Sequence, residues 1–263
     1  MKQVEDFLNE TEVLFALVSS LSSEDLTKPT LFKQWSTSDI LAHLHFWNRA
    51  ADYQIDAPDK ISDILTPLKS GVTLRELERT AFESADPAEQ VAEWHELAKR
   101  ISAAFYTVDP KARLKWVGPD MSARSSITAR QMETWAHGQA IFDLFGTDRV
   151  ESDRLKNIVV LGVNTFGWTY VTRKLDVPEH MPRLDLEAPS GDLWSFGDGA
   201  NAERIAGPAV EFCQVVTQTR NIADTTLQMT GETAKDWMSK AQCFAGPAHA
   251  PPLPGARFKS ARA

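Results

Sequence analysis

Residues 127–146, ITARQMETWAHGQAIFDLFG, decide the fold. The stretch has few helix breakers and ends on a glycine, so it predicts a helix that stops at Gly146. Glu133 and His137 are four residues apart and lie one above the other on a helix face. Ala129, Ala136, Ala140 and Leu144 fall on the same face. A carboxylate and an imidazole therefore point together toward what reads as a protein interior. An ionised carboxylate is costly to bury without a partner. One partner is a divalent metal, for which Glu-x-x-x-His is a workable pair of ligands. The other reading is a buried Glu–His hydrogen bond with no metal.

Upstream, residues 4–21 carry apolar side chains at helical spacing, at Val4, Phe7, Leu8, Val13, Leu14, Leu17 and Val18. Residues 26–35 read as a loop plugged by Trp35. Ser36 and Asp39 form a box-like N-cap, so a second helix runs to about Ile55. On it Ile40, His43, Trp47 and Ala50 share one face. His45, about 200° around, points elsewhere. By itself His43 also fits a core histidine bonded to a carbonyl. Residues 57–70 are turn-rich. Residues 74–106 read as mostly helical with an interruption at Asp86-Pro87, and His95 reads as surface. Residues 109–126 form a loop carrying Trp116. Four long helices suggest an up-down bundle, in which facing helices build metal sites in the core. His43 then faces Glu133 and His137. Three protein ligands with an open position are the pattern of a catalytic site.

Beyond residue 150 the pattern changes. A helix is expected over 153–174, with Gly162 and Gly167 marking close packing, followed by a linker at 177–182. Leu184–Glu187 and Leu193–Phe196 alternate as strands and read as a hairpin. A helix is expected over 201–220, kinked at Gly207-Pro208. A strand at 226–229, a helix at 234–244 and a Pro-rich extended tail complete the chain. The expected division is a helical metal-binding domain (1–150), a connecting helix and linker (151–182), a small α+β domain (183–246) and the tail (247–263).

The 263 residues are 43% hydrophobic and 24% charged, ordinary globular usage, with a net charge of −8. The acidic balance argues against nucleic-acid and anionic-membrane partners. The basic patch from Arg257 to Arg262 reads as a solvated terminus. Cys213 and Cys243 lack CxxC spacing, which argues against a disulfide scaffold or zinc knot, and Cys213 reads as a buried helix residue. The acidic, amphipathic N-terminus does not read as a signal peptide, and no apolar run spans a bilayer. A soluble cytoplasmic protein is expected.

The segments WSTSDILAHLHFW (35–47) and ARQMETWAHGQAIFDLFG (129–146) resemble the DinB-like superfamily, and within it the mycothiol-dependent maleylpyruvate isomerase branch. The chain is similar to an uncharacterised subgroup of that branch rather than to the isomerase itself. The resemblance implies a mainly α protein, a DinB-like four-helix bundle with a smaller C-terminal α+β domain. It implies a divalent metal, zinc by preference, on His43, Glu133 and His137, a donor set that also suits nickel, iron or cobalt. Arg130 matches the family pattern, as an orienter of Glu133, an anion contact or a surface ion pair. Arg220 is the candidate for an arginine that the family's isomerase uses in its C-terminal domain. Many relatives carry an acidic residue where this chain has Ala140, with Asp143 nearby as a partial substitute. The implied chemistry is attack by a metal-bound thiolate, supplied by a low-molecular-weight thiol, on the activated double bond of a small anionic substrate. Two other readings stay open. One is a metal-dependent hydrolase, with Asp143 or Asp39 as base. The other is a non-enzymatic metal-containing binding protein. A homodimer fits any of the three.

Overall fold

The computed structural model describes residues 1–260, so the Arg262 end of the basic patch lies outside the described residues. The chain divides into two compact units, Met1–Leu144 and Phe145–Ala263. It is mainly α-helical, with a short antiparallel pair, β1 (Arg113–Leu114) and β2 (Met121–Ser122), in the first unit, where a loop was expected, and a four-stranded sheet in the second.

In the first unit, α1 (Lys2–Val18), α3 (Thr37–Asp56), α5 (Pro87–Tyr106) and α6 (Ala123–Leu144) are the long helices. They pack in a ring, α1 on α5 and α6, and α3 on α5 and α6. The short α2 (Ser23–Thr27) precedes the Trp35 loop. The core joins Val4 and Phe7 to Ala51, to Leu97, Ile101 and Phe105, and to Ala123 and Ile127. Its aliphatic and aromatic side chains each contribute roughly 1.5–3 kcal/mol on burial.

The start of α3 follows the capping chemistry. Ser36 Oγ accepts from the Asp39 amide, and Asp39 Oδ2 accepts from the Ser36 amide, both at 3.1 Å. The stretch expected to be mostly helical from 74 to 106 is two separate helices, α4 (Leu74–Arg79) and α5. Pro87 occupies the first turn of α5, where its missing N–H is harmless, and Asp86 caps it. α6 begins four residues before Ile127 and buries the face that carries Ile127, Gln131, Trp135 and Phe142. The Glu133/His137 face is not the core side. These side chains are 20% and 14% exposed, so this face is partly open to solvent. Gly146, at φ 61°, follows the helix in the left-handed region that glycine adopts without strain.

His95 corrects the surface reading. Its ring stacks on Phe15 at 3.7 Å and its Nε2 lies 2.7 Å from Glu12. His45 is 6% exposed and stacks on Phe82, and burial, aided by the charge of Arg49, pushes its imidazole down to about 4. The folded pKa lies below the unfolded value of 6.5, so the unfolded chain binds the proton first as pH falls. Stability from a neutral His45 is present above that value and lost between about 6.5 and about 4. The loss amounts to about 3 kcal/mol at most. His45→Leu is expected to flatten that acid limb in urea denaturation at pH 7 and pH 5. An unchanged slope contradicts the assignment.

In the second unit the helix expected over 153–174 breaks at Thr165 into α7 (Lys156–Asn164) and α8 (Phe166–Val171). Thr165 Oγ1 donates to the Leu161 carbonyl at 2.8 Å. Strands β3 (Arg183–Glu187) and β4 (Leu193–Phe196) form the expected antiparallel hairpin, with Leu184 opposite Phe196 and Glu187 opposite Leu193. The helix expected over 201–220 is corrected. Arg204–Pro208 is a strand, β5, parallel to β3, and only Ala209–Val216 is helical (α9). Ile205 and Ala209 mimic helical spacing, but Gly207 takes a positive φ of 141° that no α-helix contains, and Pro208 lacks the amide N–H that a helix interior needs. β6 (Gln228–Thr230) pairs antiparallel with β5, giving the order β4-β3-β5-β6. The last helix, α10 (Glu232–Met238), starts before and ends well before the expected bounds. Residues 247–260 of the tail have no regular structure, and Asn221 Nδ2 donates to the Pro252 carbonyl at 2.7 Å.

Gly162 is a close-approach glycine. A Cβ there would stand 2.9 Å from Phe212 Cε1 on α9, whereas one at Gly167 would meet Val177 at an ordinary 3.6 Å. Gly162→Ala is expected to destabilise by about 1–3 kcal/mol through overpacking, measured by urea denaturation. Unchanged stability would mean that α7 and α9 part easily.

Candidate metal centre

α3 and α6 bring His43, Glu133 and His137 together. His43 Nε2 lies 3.3 Å and His137 Nε2 3.1 Å from the same Glu133 oxygen, Oε2. One donor atom from each residue lies within 4.8 Å of the others. Tetrahedral ligands about 2.0–2.2 Å from a zinc-like ion stand roughly 3.3 Å apart. The donor set, two imidazoles and a carboxylate with side-chain exposures of 13–20%, is therefore compatible with one divalent ion open to a further ligand.

The electrostatics are those of a charge-dense, half-buried cluster. Burial pushes the Glu133 carboxyl up. Hydrogen bonds from His137 and His43, with the charges of His137 and Arg130, outweigh burial and hold it well below the usual range. Burial pushes His43 down, but its bonds to Glu133 and Glu78 lift it overall. Burial and the neighbouring His43 charge depress His137. The two imidazoles are thus inequivalent. His43 Nδ1 lies 2.7 Å from Glu78 Oε1, whereas His137 Nδ1 is buried without a hydrogen-bond partner. Position 140, one turn on from His137, is an alanine, and Asp143 accepts from Gln139 at 2.9 Å.

An aromatic wall surrounds the cluster. Trp35 stacks parallel to His137 at 6.0 Å and lies 5.5 Å from the His43 ring. Phe32 meets His137 edge-on, and Trp47 joins His43 to Trp116. Such rings exclude water and strengthen the electrostatic interactions within. Arg130, only 5% exposed, has its guanidinium 5.9 Å from the Trp116 centroid, and its Nη1 has no hydrogen-bond partner. Burial lowers its pKa, and Glu133 opposes that effect.

Arg220 belongs to the other unit, where its Nη1 donates to the Thr219 carbonyl at 3.0 Å. Asp39, a base candidate for hydrolysis, is engaged by Arg75 at 2.5 Å and Arg79 at 3.0 Å besides capping α3. Sequence reasoning missed Glu78 and Arg75. Both lie on α4, outside any motif, and only the docking of α4 on α3 brings them to His43. Trp35 was legible as an apolar plug, but not as a ring against the histidines.

Residues 7–142 match the family model described as the mycothiol maleylpyruvate isomerase N-terminal domain, just over half of the chain. The chain belongs to that family. Its α3 and α6 segments, with the three donors, fall within the matched residues. Two uncharacterized proteins from two strains of Mycobacterium tuberculosis are each 33% identical over 245 residues, covering 93% of this chain and 95% of theirs. The family fold extends beyond the matched domain. The crystal structure of the mycothiol-dependent maleylpyruvate isomerase superposes with a TM-score of 0.55 at 13% identity, covering 89% of this chain and 92% of that one. A mutant of that isomerase gives a TM-score of 0.53 at 12% identity, over 81% and 87% of the two chains. No helix among the described residues is long and apolar enough to cross a membrane.

Proposed function

We propose that this protein is a thiol-dependent isomerase or transferase for a small anionic substrate, built on a divalent metal held by His43, Glu133 and His137. The observation that carries the reading is the convergence of three half-buried donor atoms within 4.8 Å, with the charge of a buried, incompletely paired Arg130 acting on Glu133. Zinc is the preferred ion, and mycothiol, from the family's description, is the first thiol to try. A bound divalent metal lowers the pKa of a coordinated thiol and so supplies a nucleophile near neutral pH.

The chain's own residues do the rest. Glu133 carries a fixed negative charge, because its carboxyl is held ionised. Trp35 and Phe32 fix the His137 ring and keep water away. Arg130 Nη1 donates to the anionic end of the substrate, a charge-assisted hydrogen bond that orients the double bond. With a metal on His43, Glu133 and His137, a bound thiolate would supply the nucleophile for reversible addition to the β-carbon of the unsaturated acid, allowing rotation about the former double bond before the thiolate leaves unchanged. In a transferase the C–S bond would be kept and the α-carbon would take up the proton that the thiol gave up. The cytoplasm is proposed as the location.

Zinc-loaded protein is expected to turn over maleylpyruvate, or a related unsaturated keto acid, only when mycothiol is present. Thiol-independent turnover would favour a hydrolase, although Asp39 and Asp143 are both hydrogen-bonded elsewhere. Retained metal with no turnover across thiols and acids would favour a binding protein.

A further inference from the structure

Glu78 is a buried carboxylate with two functional partners. Its side chain is 1% exposed, Oε1 lies 2.7 Å from His43 Nδ1, and Oε2 lies 3.2 Å from Arg75 Nη1. Arg75 is fixed in turn. Its Nη2 is 2.5 Å from Asp39 Oδ1, its Nη1 donates to the Asp39 carbonyl at 3.1 Å, and its guanidinium lies 4.0 Å from the Trp35 centroid. Asp39 caps the helix that carries His43. A closed circuit of charge therefore runs from the helix start through Asp39, Arg75 and Glu78 back to His43. It also touches Trp35, which stacks on His137.

We propose that Glu78, aligned by Arg75 and Asp39, is the positioning residue of the metal centre: it holds the Nδ1–H of His43 and so presents Nε2 toward Glu133 and His137. The inference rests on the metal-centre reading above. A histidine ligand whose other nitrogen donates to a carboxylate has a fixed tautomer and ring angle and a more basic donor. His137 Nδ1 has no such partner, so one imidazole is preset and the other is not. The centre is thus assembled from three helices, and α4 belongs to it even though it supplies no ligand.

The test uses the full-length protein and Glu78→Ala, Glu78→Gln and Arg75→Met, each checked for folding by circular dichroism. Zinc affinity is read by chelator competition. The His43 tautomer in metal-free protein is read by 15N NMR at alkaline pH, where the ring is neutral. Glu78→Ala is expected to weaken zinc about 10–100-fold and to give mixed tautomers. Glu78→Gln, whose amide oxygen still accepts, is expected to fall between it and wild type. Arg75→Met, which frees Glu78 to move, also weakens zinc and keeps the proposal testable where Glu78→Ala does not fold. Folded Glu78 variants with wild-type zinc affinity and an unchanged tautomer would overturn it. Wild type that takes up no zinc would overturn the metal centre itself, while the tautomer comparison still decides whether Glu78 sets the ring.

Discussion

His43→Ala and His137→Ala are each expected to lose about two orders of magnitude or more in zinc affinity while keeping the fold. Apparent binding free energies of about 10–16 kcal/mol for four-ligand zinc sites correspond to roughly 3 kcal/mol per ligand, about a hundredfold. The two variants differ in their effect on the metal-free protein. His43→Ala leaves Glu78 Oε1 buried without its 2.7 Å partner, a loss of about 1–3 kcal/mol. His137→Ala removes a ring whose Nδ1 has no partner, so it is expected to be milder. Chelator competition on both variants, with urea denaturation of the metal-free forms, reads both effects. Zinc affinity unchanged in either variant would remove that histidine from the ligand set. Equal destabilisation would contradict the inequivalence of the two rings.

Arg130→Met is expected to separate activity from stability. Arg130 is 5% exposed and its Nη1 is without a partner, so the folded protein carries desolvation that hydrogen bonding does not fully offset. Methionine fills similar space without the charge, and replacing a poorly satisfied buried ion by an apolar residue often stabilises, here by about 1 kcal/mol. Against this, Glu133 loses a nearby positive charge that helps hold its carboxyl low. If Arg130 binds the substrate's anionic end, the variant loses a charge-assisted hydrogen bond of about 1.5–3 kcal/mol, roughly 10–150-fold in kcat/KM. The expected result is a variant as stable as wild type or more so, with sharply reduced turnover and weaker binding of a small dicarboxylate in calorimetry. A destabilised variant with normal anion binding would instead make Arg130 a structural support of Glu133.

The convergence of His43, Glu133 and His137 was legible because helix geometry converts an i, i+4 spacing into proximity, and because Ser36 and Asp39 mark the start of a helix on which His43 shares a face with Ile40, Trp47 and Ala50. The mainly α architecture followed from the same periodicities. Misread elements are those in which local pattern and tertiary contact disagree. Ile205 and Ala209 have helical spacing, yet pairing with β3 draws residues 204–208 into a sheet. His95 sits among charged residues in the sequence, but Phe15 of α1 covers it. The Glu133 face carries several alanines and reads as interior. In the fold its Glu133 and His137 side chains are partly exposed, while Gln131 on the opposite side is fully buried. Glu78 and Arg75 had no signal at all, since an ion pair to a residue 35 positions away leaves no local pattern.

On the proposed function, the three donors hold one metal that takes a thiol as its further ligand. Cobalt(II) replaces zinc at such sites and is visible, so the decisive titration adds cobalt(II) and then mycothiol to metal-free protein. Saturation at one equivalent of cobalt is expected, followed by a near-ultraviolet sulfur-to-cobalt absorption band on adding thiol. Both steps should be lost in His137→Ala. Cobalt that binds at one equivalent but is spectroscopically blind to thiol would contradict it, as would a folded wild type that takes up no cobalt.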